Sequence, residues 1–192
     1  VGIKGEKISS LEPHLPQKEA GRVIEASGKY VMPGVIDVHV HLAAPGGFSD
    51  TPSDFEPDKA MPRALAAYLY SGITAVKSVG DPLDAILKTR VLVNSGERLG
   101  AELFTCGPMF TAPGGHGTEY FKDLPEQARR AAEQQTVRTP QSADEARRQV
   151  QALKQRGVDG IKAILEAGQA PFVFNRMDVA ILRAVAEEAR AG

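Results

Sequence analysis

Two histidines one residue apart, His39 and His41, close a β-branched run in "PGVIDVHVHL" (33–42). Side chains at i and i+2 of a strand project from the same face. The spacing turns both imidazoles to one side, with Val38 and Val40 on the other, and two adjacent imidazoles can ligate one ion. They can equally be polar residues at a strand end, hydrogen-bonded to nearby loops. Lys162 is the second residue of interest, standing in "DGIKAIL" between Ile161 and Ala163. A bare ammonium in apolar surroundings is costly. Either the side chain reaches solvent at its strand end, or its amine has combined with CO2, with loss of a proton, to give a carbamate whose oxygens bind metal ions. With the two histidines, that carbamate would make half of a metal site.

The elements that must position these residues alternate. The first thirty residues read as short β-type pieces, among them "VGIK", "RVIEA" and "SGKYV", and their close spacing predicts a small antiparallel sheet. From Pro33 the rhythm changes to strand and helix. "GVIDVHV" precedes a Gly, Pro, Ser and Asp-rich loop (43–57) and a helical pattern over 58–70, which Gly72 ends. "GITAVKS" and "AELFTCG" are the next two strands, separated by a helix with Pro82 in its first turn and Gly96 past its end. A long loop, "PMFTAPGGHGTEYFKD", leads to a polar stretch of helical character, "LPEQARRAAEQQ". Ser142 with Glu145 three residues on is a capping box, opening a helix whose apolar face is Ala146, Val150 and Leu153. "VDGIKAIL" is the fourth strand, and Asn175 is placed to cap the last helix, which carries Val179, Leu182, Ala186 and Ala189 at helical spacing.

Such alternation predicts α/β architecture with parallel strands joined by right-handed crossovers. Four units after a small β region could be a complete open sheet or the first half of a (β/α)8 barrel, which usually takes about 250 residues. In either fold the C-terminal strand ends, where His39 and His41 fall, are where active sites are built. No G-x-G-x-x-G follows the first strand, so dinucleotide binding is unsupported.

Composition narrows the partners. The 192 residues are 42% hydrophobic, enough for a real core. Lys and Arg number 23 against 24 Asp and Glu, for a net charge of −1, so nothing points to nucleic acid. The single cysteine, Cys106, excludes an internal disulfide. No apolar run approaches the roughly 18 to 20 residues of a membrane span. The chain reads as soluble, cytoplasmic or exported, because it opens without Met and a leader before Val1 is compatible with it.

The residues resemble the amidohydrolase superfamily of metal-dependent hydrolases. "PGVIDVHVHL" is similar to its first-strand signature, "SGITAVKSVGDP" to its second strand and loop, and "GVDGIKAIL" to the strand carrying a carboxylated lysine. Within it, "APGGHG" and the "DGIK" strand are most similar to the imidazolonepropionase-related and prolidase-like branch, which includes enzymes cleaving Xaa-Pro dipeptides. The resemblance implies a partial small β-sandwich over 1–32 and the first four β/α units of a TIM-type barrel over 33–192. It implies that His39 and His41 ligate one of one or two divalent ions, zinc first, and that Lys162 bridges them as its CO2-derived carbamate. Asp37 becomes a supporting residue, and His116, in "GGHG", a residue that reaches substrate or else an ordinary loop histidine. Gly114, Gly115 and Gly117 supply backbone freedom for a sharp turn.

The implied activity is hydrolysis of amide or other C–N bonds by metal-activated hydroxide, on a small-molecule or dipeptide-like substrate. Cyclic-imide opening or deamination is the alternative within the superfamily, and a non-catalytic α/β binding module the alternative outside it. Further strands of the family carry two more histidines and an aspartate that handles the proton of the attacking water. His14 and His116 are the only other histidines, and neither falls on such a strand. The expectation is therefore an N-terminal portion, inactive by itself, completed by the other half of its barrel, with a homo-oligomer also compatible.

Overall fold

The computed structural model describes residues 1–12, 20–43 and 56–191. Contacts divide it into two units, Val1–Pro33 and Gly34–Gly192. His14 and most of the expected 43–57 loop lie outside the described residues.

In the first unit β1 (Gly2–Lys4) pairs antiparallel with β2 (Lys7–Ser10), Ile3 opposite Ile8 and Lys4 opposite Lys7. The connection is two residues long, and Gly5 supplies the positive φ of 64° that such a tight hairpin turn demands. The expected strands at "RVIEA" and "SGKYV" do not form: 20–34 carries no strand, only a turn in which the Lys29 amide donates to the Ala26 carbonyl at 3.0 Å. Val23, Ile24, Tyr30 and Val31 are all exposed. Strand-forming residues without a partner ladder or a surface to cover have nothing to hold them extended.

The second unit is mixed α/β. Its elements are β3 (Val35–Val40), α1 (Pro57–Tyr70), β4 (Ile73–Ser78), α2 (Leu83–Asn94), β5 (Glu102–Thr105) and β6 (Met109–Phe110), followed by a 3-10 turn (Glu119–Phe121). Then come α3 (Glu126–Thr136), β7 (Val137–Arg138), α4 (Ala143–Gln155), β8 (Lys162–Ala163), β9 (Gly168–Gln169), β10 (Phe172–Val173) and α5 (Val179–Arg190). One parallel sheet runs β3-β4-β5 and a second β7-β6-β8, while β9 and β10 form a short antiparallel pair.

The expected third strand forms as β5, whereas β6 arises inside the stretch expected to be a long loop. Between β5 and β6 lie Gly107, at φ 60°, and Pro108, which cannot donate to a ladder. The two sheets are nonetheless stitched together: the Asp159 amide donates to the Thr105 carbonyl at 2.7 Å, and the Ile164 amide to the Phe110 carbonyl at 2.8 Å. The segment 159–164, with Lys162 in its middle, thus runs beside both β5 and β6, although only Lys162–Ala163 is regular strand.

Two apolar layers hold the helices on. Val40, Leu42, Met61, Leu65, Val76, Ile86 and Leu103 are buried between the first sheet and α1 and α2. Phe110, Ala146, Val150, Leu153, Ala184 and Val185 form the second layer beneath α4 and α5. Each fully buried Leu, Ile or Phe contributes about 1.5–3 kcal/mol over an exposed one. Val40 and Leu42 point into the first layer because they alternate with His39 and His41, so hydrophobic burial decides which way the histidines face.

Helix ends follow the sequence with one exception. The Ser142 hydroxyl accepts from the Glu145 amide at 3.2 Å, and the Glu145 carboxylate accepts from the Gln141 amide at 2.9 Å. The last helix, however, is capped by Asp178, whose Oδ1 accepts from the Ala180 amide at 2.6 Å. Asn175 instead reaches back across the fold: its side-chain amide donates to the Pro113 carbonyl at 2.7 Å, and its main-chain amide to that of Gly114 at 3.1 Å. Among the described residues no helix is long and apolar enough to cross a membrane.

Candidate metal and substrate site

A cavity of about 1130 Å³ opens at the C-terminal ends of the parallel strands, and His39, His41, Asp81, His116, Lys162 and Glu166 all line it. These side chains come from four places: the end of β3, the turn after β4, the loop after β6, and β8 with the loop that follows it.

The rings of His39 and His41 lie edge to face with centroids 5.5 Å apart. That spacing suits a single shared ion, since imidazole nitrogens bind zinc at about 2.0–2.1 Å. The Asp37 carboxylate accepts from the His39 main-chain amide at 3.1 Å, bracing the strand from within. His39 remains accessible, yet the desolvation it does suffer, then the Lys162 charge and then His41, hold its pKa below the usual histidine value, with Asp37 pulling the other way. A ring held neutral keeps the lone pair that a metal ligand needs.

Lys162 pairs in register with Met109 and is half-buried. As an ammonium it would oppose a cation beside His39; as a carbamate it would supply oxygens. Among the described residues no three His, Cys, Asp or Glu side chains gather as a metal-holding group. The donor set therefore fits a metal ion only with Lys162 counted, through its carbamate.

His116 sits on the loop after β6. Gly114 and Gly117 take φ of 68° and 100°, and a Cβ at Gly115 would fall 2.3 Å from the Thr111 hydroxyl, so this tight loop requires its glycines. His116 Nδ1 is 2.7 Å from Glu119 Oε1 and 3.6 Å from Glu166 Oε1. The nearer contact is close but not aligned as a hydrogen bond, since Nδ1 has no hydrogen-bond partner of good geometry. Phe174 and Tyr120 pack on the ring at centroid distances of 4.9 and 5.8 Å.

The sequence did not single out two further residues, Asp81 on the cavity wall and Lys77 near Gly160. Asp81, 1% exposed, accepts from the amides of Leu42 and Ala43 and from the Ser78 hydroxyl. The signal available for it was a lone acid before a proline at the end of the second strand. Lys77 approaches Gly160 and Cys106, its Nζ lying 3.2 Å from where a Gly160 Cβ would stand. Burial pushes the Cys106 thiol up, against the pull of Lys77 and Lys162, which makes it a poor nucleophile.

No family model matches the chain. Over 47 residues it is 45% identical to a dihydroorotase of Bacillus pumilus (strain SAFR-032), covering 24% of this chain and 11% of that protein. Over 83 residues it is 43% identical to adenine deaminase 2 of Agrobacterium fabrum, covering 43% of this chain and 11% of the other. Among solved structures, a prolidase complexed with N-methylphosphonate-L-proline is similar with a TM-score of 0.63 and 24% identity, over 88% of this chain and 45% of that one. An amidohydrolase is similar with a TM-score of 0.60 and 26% identity, over the same shares. The chain thus matches about a tenth of the length of these curated relatives and under half of these solved structures.

Proposed function

We propose that this chain, a member of the amidohydrolase superfamily over the portion it shares with those relatives, carries the first metal ligands of a metal-dependent hydrolase of amide or other C–N bonds. The observation that carries this reading is the meeting of His39, His41 and Lys162 on one cavity at the parallel strand ends. His39 and His41 present two imidazoles to one ion, and Lys162, as its carbamate, supplies anionic oxygens beside them. Divalent ions held there, zinc first, would polarise a carbonyl and make water a nucleophile near neutral pH. His116, set beside Glu119 and Phe174 on the same cavity, would be the residue that reaches substrate. The carboxylate that would take the water's proton and deliver it to the leaving nitrogen is assigned to no residue of this chain.

An Xaa-Pro dipeptide is the first substrate to try, from the resemblance of "APGGHG" and "DGIK" to the prolidase-like branch. Cyclic-imide opening or deamination is the second reading, favoured by the local identity to a dihydroorotase and an adenine deaminase. Elemental analysis of the full-length protein, with anomalous scattering at the zinc edge, tests the metal. His39→Ala should lower metal content and turnover together; a variant keeping both would remove His39 as a ligand. An unmodified Lys162 and no bound metal would favour the non-catalytic module instead.

A further inference from the structure

The turn after β4 (78–81) grips the end of β3 in a way that neither strand pairing nor core packing requires. The parallel ladder between β3 and β4 ends at Val40 opposite Ser78, with the Val79 amide donating to the Val40 carbonyl at 3.0 Å. Past that point the amides of Leu42 and Ala43 have left the sheet and need other acceptors. Asp81 provides them: Leu42 donates to its two oxygens at 2.9 and 3.1 Å, and Ala43 donates to Oδ1 at 2.8 Å. The Ser78 hydroxyl donates to Oδ2 at 2.6 Å, the short distance of a charge-assisted bond. A carboxylate 1% exposed is expensive to bury, and this one is met by main-chain amides and a hydroxyl.

His41 lies between the two gripped points, Val40 and Leu42. Its ring also rests on the same turn: a Cβ at Gly80, which has φ 152°, would come 3.0 Å from His41 Cε1 and 3.3 Å from Nδ1. The turn therefore holds the main chain on both sides of His41 and leaves a Cβ-sized space for its imidazole.

We propose that Asp81 is the positioning residue of the His39–His41 pair, acting through the amides of Leu42 and Ala43, with Gly80 shaping the seat of the His41 ring. The inference rests on the reading of that pair as metal ligands. Residues that orient metal ligands without touching the ion typically govern affinity by about 10–100-fold. Asn at position 81 keeps the shape but has one acceptor oxygen, and its NH2 group faces amides that also donate.

The test uses full-length protein stripped of metal, titrated with zinc against a chelator and with cobalt for its visible spectrum. Asn94→Ala is the control, because Asn94 makes the same kind of clamp on β5, accepting from the Leu103 amide at 2.9 Å and donating to its carbonyl at 3.0 Å. The expected result is zinc affinity about 10–100-fold weaker in Asp81→Asn with a shifted cobalt band, and wild-type affinity in Asn94→Ala. Wild-type affinity and spectrum in Asp81→Asn would overturn the inference, as would an equal loss in Asn94→Ala. A wild-type protein that takes no zinc would instead defeat the metal reading beneath it. Should Asp81→Asn fail to fold, Gly80→Ala carries the test: it leaves the Asp81 carboxylate in the chain, strains the turn at φ 152° and presses a methyl on the His41 ring, so an unchanged cobalt band there counts against the proposal.

Discussion

One oxygen of Asp159 receives both the Arg90 guanidinium at 2.7 Å and the Thr105 main-chain amide at 2.8 Å. Through this point α2, the third strand and the segment leading to Lys162 are tied together. Asp159→Ala should destabilise the fold by about 1–3 kcal/mol, the range for hydrogen bonds to charged groups that are partly shielded. Urea unfolding measures it; a midpoint unchanged from wild type would mean the tie is carried by the Asp159 main chain alone.

The charge of Lys162 is one of the causes that lower the His39 pKa. In metal-free protein, Lys162→Met should let that pKa rise, followed by NMR titration of the histidine ring protons. The sign for stability follows. A histidine whose folded pKa is depressed binds fewer protons folded than unfolded, so stability grows as pH rises through the usual histidine value near 6.5 and is complete above it. Lys162→Met should shrink that growth. An unmoved His39 titration would separate the two residues.

Asp84 joins α2 to α3 and to the residue that ends α4: its Oδ1 accepts from Arg156 at 2.6 Å and its Oδ2 from Gln135 at 2.9 Å. These two hydrogen bonds, Arg156 first, hold its pKa below the ordinary aspartate value of 3.8. A depressed carboxyl contributes stability above its unfolded pKa and loses it as pH falls through the folded one. Asp84→Asn should therefore melt lower than wild type at pH 7, with the gap closing in acid below that value. A gap that persisted there would assign the effect to shape and not to charge.

Asn175 and Asp178 should separate cleanly. Asp178→Ala removes the cap of α5 and should cost about 1 kcal/mol. Asn175→Ala should leave α5 intact and loosen the loop at 113–117 that carries His116, seen as faster amide exchange at Gly114 and Gly115. Helix loss in Asn175→Ala would restore it as the cap.

Much of the fold was legible from local pattern. Period-two alternation placed His39 and His41 on one face, and Ser142 with Glu145 marked the start of α4, because both signals act between sequence neighbours. The misreadings came where partners are distant. "RVIEA" and "SGKYV" carry strand-forming residues but meet no strand. Asn175 looks like a cap, yet its amide is taken by Pro113, far back in the chain. Asp81 reads as a turn residue before a proline until Leu42 and Ala43 are brought against it.

The sequence by itself determined which chemistry this chain can take part in: paired imidazoles, a lysine in an apolar strand, and the alternation of strands and helices that sends such residues to one end of a parallel sheet. Tertiary structure alone decided that His39, His41, Lys162 and His116 share one cavity, and which buried carboxylate takes the Leu42 and Ala43 amides beside that pair. The reason is physical. Propensity and periodicity depend on neighbours along the chain, whereas a cavity wall and the partners of a buried charge are chosen by packing between elements far apart in sequence.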